Sequence, residues 1–296
     1  MEKDVKINPN GRCISSKHLD AYKNGILKKL LMAIKDDLEL SLEMRRENEA
    51  ILYYRKGKVL TTRLKKGSIE VEMLSSQYYK NMNKPSINIE DPANLISKGK
   101  IQKYIKEAKQ LVLYKDGEEF TFQQRIATGN HSFDNKYLVV DMEWEYPQGK
   151  IKKEDRIDTT RPDFVIVDTE KNTDGYNDIY LAELKVGTGA TQGPSGIIDH
   201  VDKTNNIIEN KDACMALVND VKSIIANKIE LGLIYGQPKE LHFANKPKMM
   251  LISVYRGEKE RIELDQEAQK ACERAREIKM EEPKCLLYNA YITIEG

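Results

Sequence analysis

The chain has 296 residues, of which 40% are hydrophobic and 32% charged, a composition typical of a folded globular protein rather than a disordered one. Its 48 Lys and Arg residues nearly balance 47 Asp and Glu residues. This balance excludes an overall basic field, so any surface that binds nucleic acid has to be local.

The cysteines and the amino terminus indicate a cytoplasmic protein. Neither a zinc knuckle nor a disulfide framework is indicated, because no C-x-x-C spacing occurs among Cys13, Cys214, Cys272 and Cys285. Reduced thiols are therefore the expected state. Segment 1–13 is charged and unlike a signal peptide, and no run of about 18 apolar residues occurs, so we expect no membrane contact.

The first part of the chain predicts a helix followed by an antiparallel meander. Apolar residues recur at helical spacing over 16–34, with Ser16 as N-cap. Alternating apolar residues then predict three strands, around 38–42, 51–54 and 59–64. A polar connection leads to a second helix over 93–110, and we place a domain boundary near residue 115, which gives domains 1–115 and 116–296.

The second part predicts a mixed α/β sheet flanked by helices. A helix over 118–127 precedes three strands, over 137–146, 162–168 and 179–186. A glycine-rich bend over 187–196 leads into a long helical stretch that breaks near Asn210. The remaining elements are a strand, a helix and a strand, over 249–255, 265–279 and 286–294.

The strands over 162–168 and 179–186 predict a hairpin that carries three ionisable side chains. If Asp168 lies opposite Ile179, Asp163 falls opposite residue 184, beside Glu183 and Lys185. Because strand side chains alternate between faces, Glu183 and Lys185 share one face. Two carboxylates there suit Mg²⁺, which polarises a phosphate and activates a bound water, while an ammonium offsets charge in the transition state.

The ordinary alternative is structural. Asp opposite Lys on a half-exposed hairpin forms a cross-strand ion pair worth a few tenths of a kcal/mol. Glu183 and Lys185, however, stand in an otherwise apolar strand, where charged residues tend to have a functional reason. This context favours a site.

The pair Pro162-Asp163, followed by Glu183-Leu184-Lys185, resembles the signature of the PD-(D/E)xK nuclease superfamily. The resemblance implies a restriction-endonuclease-like αβββαβ core over about 118 to 255, extended at the amino terminus by the helix and the meander. It further implies that Asp163, Glu183 and the Leu184 backbone carbonyl bind Mg²⁺ or Mn²⁺, and that Lys185 assists the nucleophilic water.

Three further residues are weaker candidates. Family members often carry an acidic residue on the helix before the first strand, and Glu119 is slightly favoured for that position. Glu118 and Glu119 also fit first-turn acids favoured by the helix dipole. Gln192 and His200 follow the motif, where a helix would leave the site, although a packed or capping histidine is the commoner case.

Two other patterns have both a functional and a structural interpretation. The glycines at 187, 189 and 193 fit a dinucleotide-binding turn poorly, because their spacing is G-x-G-x-x-x-G and the strand before them carries charges. A basic cluster over 55–66 and a Lys-rich helix over 98–109 could contact a phosphate backbone, or could equally be solvated protein edges.

The sequence therefore predicts a metal-dependent nuclease that hydrolyses phosphodiester bonds, with DNA favoured as substrate. The resemblance to the superfamily implies a role in defence or DNA processing. Many nucleases of this fold cut duplexes as dimers, which leaves a homodimer open. The first alternative is a non-catalytic nucleic-acid-binding or assembly module with a nuclease-like fold. The second is a purely structural protein.

Overall fold

The computed structural model describes residues 11–114, 117–149, 151–188 and 196–290. These ranges form a mixed α/β protein with two sheets and eight α-helices. Contacts divide the chain into two compact units: Met1–Asp134 with Asn219–Pro238, and Asn135–Val218 with Lys239–Gly296. The predicted division was a single cut after residue 115, so the two descriptions differ for residues 117–134 and 219–238.

The first unit contains an antiparallel sheet in the order β1-β2-β3-β4. Its strands are β1 (Ser41–Arg45), β2 (Glu49–Tyr54), β3 (Gly57–Lys65) and β4 (Ser68–Met73). The meander was thus predicted correctly in kind but one strand too short. β4 was not predicted because it is an edge strand with few buried residues. Glu70 and Glu72 are exposed, and the apolar residues that alternate with them, Ile69 and Val71, are only half-buried.

The opening helix is also different from the prediction. Two helices, α1 (Ser16–Lys23) and α2 (Lys28–Lys35), replace the single helix expected over 16–34. The chain turns between them at Gly25, where an added Cβ would lie only 2.9 Å from the Ala21 Cα. Three further helices lie wholly within this unit: α3 (Pro92–Leu95), α4 (Lys98–Leu113) and α5 (Glu118–Gly129).

The second unit contains a five-stranded sheet in the order β5-β6-β7-β8-β9. Pairing is antiparallel from β5 to β7 and parallel from β7 to β9. The strands are β5 (Tyr137–Met142), β6 (Phe164–Lys171), β7 (Asn177–Val186), β8 (Lys248–Tyr255) and β9 (Lys284–Asn289). β7 is therefore the central strand, where the chain changes from antiparallel hairpins to parallel crossovers.

Helices follow the central strand as the sequence predicted. α6 (Ile197–Glu209) and α7 (Lys211–Glu230) break at Asn210, whose side-chain oxygen accepts a hydrogen bond from the Ala213 N–H. The break near Asn210 is confirmed. α8 (Glu258–Glu277) begins seven residues earlier than predicted, because charged residues hide the periodicity of its first turns. Within the described ranges, no helix has the length and apolarity needed to cross a membrane.

One face of this sheet is covered by α6 and α8. Leu251 of β8 packs in a core cluster with Val201 of α6 and Ala271 of α8. Glu183 is the register partner of Leu251, so its side chain points to the same covered face. Glu183 therefore lies beneath helices rather than on a half-exposed hairpin surface, as the structural alternative required, and every residue of β7 before Val186 is buried.

Candidate functional site

The β6–β7 hairpin holds the motif residues one position from the predicted register. Val167 lies opposite Ile179 and Phe164 opposite Ala182, so Asp168 is not the partner of Ile179 as predicted. Asp163 immediately precedes β6, and continuation of this register sets it against Glu183 instead of Leu184. Its Oδ2 accepts a hydrogen bond of 2.9 Å from the Leu184 N–H. The backbone of β7 thus orients the Asp163 carboxylate.

Glu183 and Lys185 form a buried ion pair along β7. The Lys185 Nζ lies 3.1 Å from Glu183 Oε1, and the two side chains are only 7% and 10% exposed, respectively. Removing an ammonium and a carboxylate from water costs several kcal/mol per ion, and their attraction only partly offsets this cost. The half-exposed cross-strand pair of the structural alternative is therefore not what the chain forms.

His200 joins the same carboxylate from the first turn of α6. Its Nε2 lies 3.1 Å from Glu183 Oε1, and its Nδ1 lies 2.9 Å from the Thr160 hydroxyl. An ionised carboxylate only accepts hydrogen bonds, so Nε2 carries the proton in this contact. In a neutral imidazole Nδ1 is then an acceptor, and Thr160 donates to it. The resulting chain runs from Thr160 through His200 to Glu183.

The loop that carries Thr160 is fixed to α6 at a second point. The Asn206 side-chain amide donates a hydrogen bond of 2.8 Å to the Asp158 carbonyl. Two contacts six residues apart on α6 therefore hold the segment that leads into Asp163. In the same helix, a hydrogen bond from Lys203 to Asp199 raises the pKa of the lysine, which keeps a positive charge at this half-buried position.

Asp141 is a further buried carboxyl on this side of the sheet. It is the register partner of Val165, so it shares the face of Leu181 and Glu183, and it lies diagonally from Asp163. One of its oxygens accepts a hydrogen bond from the Met142 N–H. Sequence reasoning noted only the apolar content of β5. The criterion applied to Glu183, a charge inside an apolar strand, would also have found Asp141.

An exposed cation lies beside this group. The Arg161 guanidinium is 3.7 Å from Glu143 Oε1, and its side chain is 57% exposed. Glu143 in turn donates its backbone N–H to the Asp163 carbonyl at 3.2 Å. Arg161 thus marks a solvent-accessible positive charge two residues from Asp163.

The structure joins Glu183, Lys185 and His200 through one carboxylate and fixes Asp163 on the next backbone amide of the same strand. Glu119 lies in the first turn of α5, in the first compact unit, and its assignment to the site stays a prediction. Gln192 lies outside the described residues. His200 was a weak candidate from sequence, whereas Thr160 and Asp141 were missed.

The donor atoms of the candidate site are oxygens, which are the ligands that a hard cation such as Mg²⁺ prefers. Asp163 and Glu183 offer carboxylate oxygens and Leu184 a carbonyl, and Mg²⁺ binds through one or two carboxylates while it retains several waters. Across the described ranges, no three His, Cys, Asp or Glu side chains are arranged as a ready metal site. The fit is therefore to a two-carboxylate site completed by water, not to a cage of side chains.

The glycine that ends β7 has a backbone explanation. Gly187 adopts a φ of 63°, a left-handed conformation that favours glycine. An added Cβ there would collide with the Arg256 guanidinium. Glycines 189 and 193 lie outside the described residues.

The basic segments of the first unit carry acidic partners. Arg63 pairs with Glu49, and Lys65 lies 3.9 Å from Glu70. On α4, Lys109 lies 3.0 Å from Asp37 and also pairs with Glu39. This compensation favours the solvated-edge interpretation of both segments over a phosphate-binding one.

Comparison of the chain with models of known protein families, with curated proteins and with solved structures gave no match.

Proposed function

We propose that the chain is a Mg²⁺- or Mn²⁺-dependent phosphodiesterase of the PD-(D/E)xK kind that cleaves nucleic acid, with DNA favoured. Asp163, Glu183 and Lys185 are its catalytic group. The observation that carries the proposal is the buried network on β7: Glu183 shares one oxygen with Lys185 and His200, and Asp163 is fixed by the next backbone amide.

The charges on the sheet face that α6 and α8 cover favour the binding of a cation. Among the described strand residues, the carboxyl groups of Asp141, Asp163 and Glu183 share the covered side of the sheet with the ammonium of Lys185, and the imidazole of His200 joins them from α6. Like charges are unfavourable at low dielectric, so a surplus of carboxyl groups favours binding of a positive ion. Magnesium bound by Asp163, Glu183 and the Leu184 carbonyl would supply Lewis-acid activation of a water and of the phosphate.

The residues of the chain have distinct roles in this reaction. Asp163 and Glu183 would hold the cation, and the Leu184 amide keeps Asp163 in position. Lys185 orients the attacking water and offsets the negative charge that builds up on the phosphate oxygens. Water forms the new P–O bond, and the bond to the leaving sugar oxygen breaks. We assign Arg161, whose exposed guanidinium lies beside Asp163, to the phosphate backbone of a substrate.

The sheet supports the family resemblance. Three antiparallel strands, a helical segment and a parallel strand follow α5 in the chain, which corresponds to the αβββαβ order of restriction-endonuclease-like proteins. The motif residues fall at the start of β6 and within β7. A homodimer that cuts a duplex, and a role in defence or DNA processing, extend the proposal.

One observation favours the alternative of a non-catalytic nucleic-acid-binding or assembly module. Glu183 already accepts contacts from two cationic or cation-forming groups, Lys185 and His200. A site that has lost turnover could retain this closed pairing as a structural element.

The test is a cleavage assay on plasmid, linear and single-stranded DNA and on RNA, with Mg²⁺, Mn²⁺ or EDTA. Asp163→Asn should abolish cutting and Lys185→Met should lower it by at least about 100-fold, while Lys246→Met, which removes an exposed pair with Glu209, should leave the rate unchanged. Calorimetric titration with Mn²⁺ separates the two functions. Cation binding that is lost in Asp163→Asn supports the enzyme; no cation binding together with nucleic-acid binding supports the module.

A further inference from the structure

The second unit brings two cysteines together that are 13 residues apart in sequence. The Sγ atoms of Cys272 on α8 and Cys285 on β9 lie 4.0 Å apart, and both are free thiols. Cysteine spacing gave no sign of this pair, because spacing reports only motifs in which the partners are close along the chain. The juxtaposition comes from the tertiary structure.

Sheet register explains why the two residues meet. Cys285 is the register partner of Leu251, so it points to the sheet face that α8 covers. On α8, Ala271 and Ala275 pack in the cluster that contains Leu251. Cys272 follows Ala271 by one position, which is about 100° around a helix of 3.6 residues per turn. That rotation directs it from β8 towards the next strand outward, which is β9.

Accessibility separates this pair from the other two cysteines. Cys285 is exposed and Cys272 is intermediate, whereas Cys13 and Cys214 are buried. Desolvation at its sulfur and the nearby Cys272 raise the pKa of Cys285 to about 12, although the residue as a whole is exposed, so the thiolate that exchange requires forms there mainly at alkaline pH. Burial also raises the pKa of Cys13 and Cys214. A soluble oxidant therefore reaches the Cys272–Cys285 pair first.

The distance is compatible with bond formation. A disulfide places its sulfurs about 2.05 Å apart, so the two atoms have to approach by about 2 Å. Both residues lie near the edge of the sheet, since β9 is the outermost strand. Rotation of the two side chains, with small movement of an edge strand, is enough for this approach.

We propose that Cys272 and Cys285 form a redox modification site that closes to an intramolecular disulfide by exchange with a low-molecular-weight disulfide such as oxidised glutathione. One protein thiolate attacks the reagent's S–S bond, which gives a mixed disulfide and releases one glutathione thiolate. The second cysteine, as a thiolate, attacks the protein sulfur of the mixed disulfide and releases the second glutathione. The protein loses two electrons and two protons, and the reagent is reduced to two thiols.

The new bond joins the edge strand to the helix that covers it. It closes a loop from 272 to 285 and restricts the unfolded chain, so the oxidised protein is expected to melt at a higher temperature. Edge strands are exposed to pairing with other chains, and a tethered β9 should be less available for it. Cys285 also lies in the cross-strand row of Glu183 and Leu251, two strands from the candidate site.

The experiment equilibrates the native full chain with oxidised and reduced glutathione at several ratios, followed by acid quench, alkylation and peptide mapping. The expected product is a 272–285 disulfide that forms reversibly, with Cys13 and Cys214 still reduced. Cys272→Ser and Cys285→Ser should each stop at a glutathione adduct on the remaining cysteine, and neither should gain thermal stability.

Three outcomes would overturn the proposal. Wild type that carries glutathione on either cysteine without the internal bond shows that the sulfurs do not close. Disulfide-linked dimers show that the thiols react between chains. Two thiols that alkylate fully after equilibration show that no exchange occurs. The serine variants change exposed or half-buried positions, so their folding is verified by circular dichroism before the comparison.

Discussion

The two units pair their charges in different ways. In the first unit, the meander balances basic residues of β3 with glutamates on neighbouring strands, and Lys65 and Glu70 are both more than half exposed. In the second unit, Glu183 and Lys185 form their pair on the central strand, almost out of water. An exposed pair is worth about 0–1 kcal/mol, whereas a broken buried pair costs about 3–5 kcal/mol.

The first unit also holds a buried pair, which makes the comparison sharper. The Lys228 Nζ lies 2.9 Å from Glu43 Oε2, with side chains 9% and 3% exposed. Burial alone therefore does not identify a functional pair. Glu183 is distinguished by its neighbours. The Asp163 carboxylate is positioned by the adjacent Leu184 amide, and His200 contacts the same Glu183 oxygen that Lys185 contacts.

The largest effect is expected on stability. Lys185→Met and Lys228→Met should each lower the free energy of unfolding by about 3–5 kcal/mol, because each leaves a carboxylate buried without its ammonium. Urea denaturation of the variants measures the loss. Glu183→Gln/Lys185→Met should recover most of it. If the single and double variants all unfolded at the same urea concentration as wild type, water would already solvate the pair.

The cleavage rate should be affected differently by substitution of Lys185 and of Lys228. Lys185→Met should lower the metal-dependent cleavage rate by roughly 100- to 1,000-fold, the typical cost of removing one group that stabilises transition-state charge. Lys228→Met should retain its rate per folded molecule. Initial rates measured well below the unfolding transition give the comparison. Equal losses in both variants would reduce the proposed site to a structural pair.

The histidines of the two units contrast in a similar way. His18 is fully buried, and its ring contacts Asn48 and Thr62, both neutral, whereas His200 contacts a carboxylate. Burial lowers the pKa of His18 below its ordinary value of 6.5. The stability contributed by neutral His18 is therefore fully present above pH 6.5 and is lost as the pH falls through the lower folded-state pKa.

Two measurements check this expectation. An NMR titration of the imidazole resonances should show His18 neutral at pH 6.5, and the urea midpoint of wild type should fall as the pH is lowered further. A titration of His18 at or above 6.5 would contradict the effect of burial.

A smaller effect is expected from the hydroxyl that supports His200. Thr160→Val keeps the shape of the side chain but removes the hydrogen bond to Nδ1, which is worth about 1 kcal/mol. The cleavage rate should fall about fivefold, because the imidazole is less well held against Glu183. Thr160→Ser should restore it. A valine variant with the wild-type rate would assign His200 a packing role.

Much of this architecture could be predicted from sequence, because the signals were local. Alternating apolar residues predicted the hairpin of β6 and β7, and charged residues within an apolar strand identified Glu183 and Lys185 as candidates. The register was wrong by one residue, since β6 and β7 contain an irregularity between Val167 and Lys171 that no residue pattern announces.

What could not be predicted depends on contacts between distant segments. Thr160 matters only because α6 brings His200 to it across 40 positions. Cys272 lies near Cys285 because α8 packs with that position directed towards β9. The opening helix divides because Gly25 packs against the Ala21 backbone. Periodicity identifies faces of elements, but not which elements will cover them.

The smallest effect is expected at the meander's surface pair, and it is the control for all the others. Lys65→Met and Glu70→Gln, alone or combined, should change the free energy of unfolding by less than about 0.5 kcal/mol, because water already solvates both charges. The same urea titrations apply. Neither variant should alter nucleic-acid affinity if the meander is a solvated edge. A Lys65→Met variant that binds DNA more weakly, with a reduced dependence on salt, would instead show that this strand contacts the phosphate backbone.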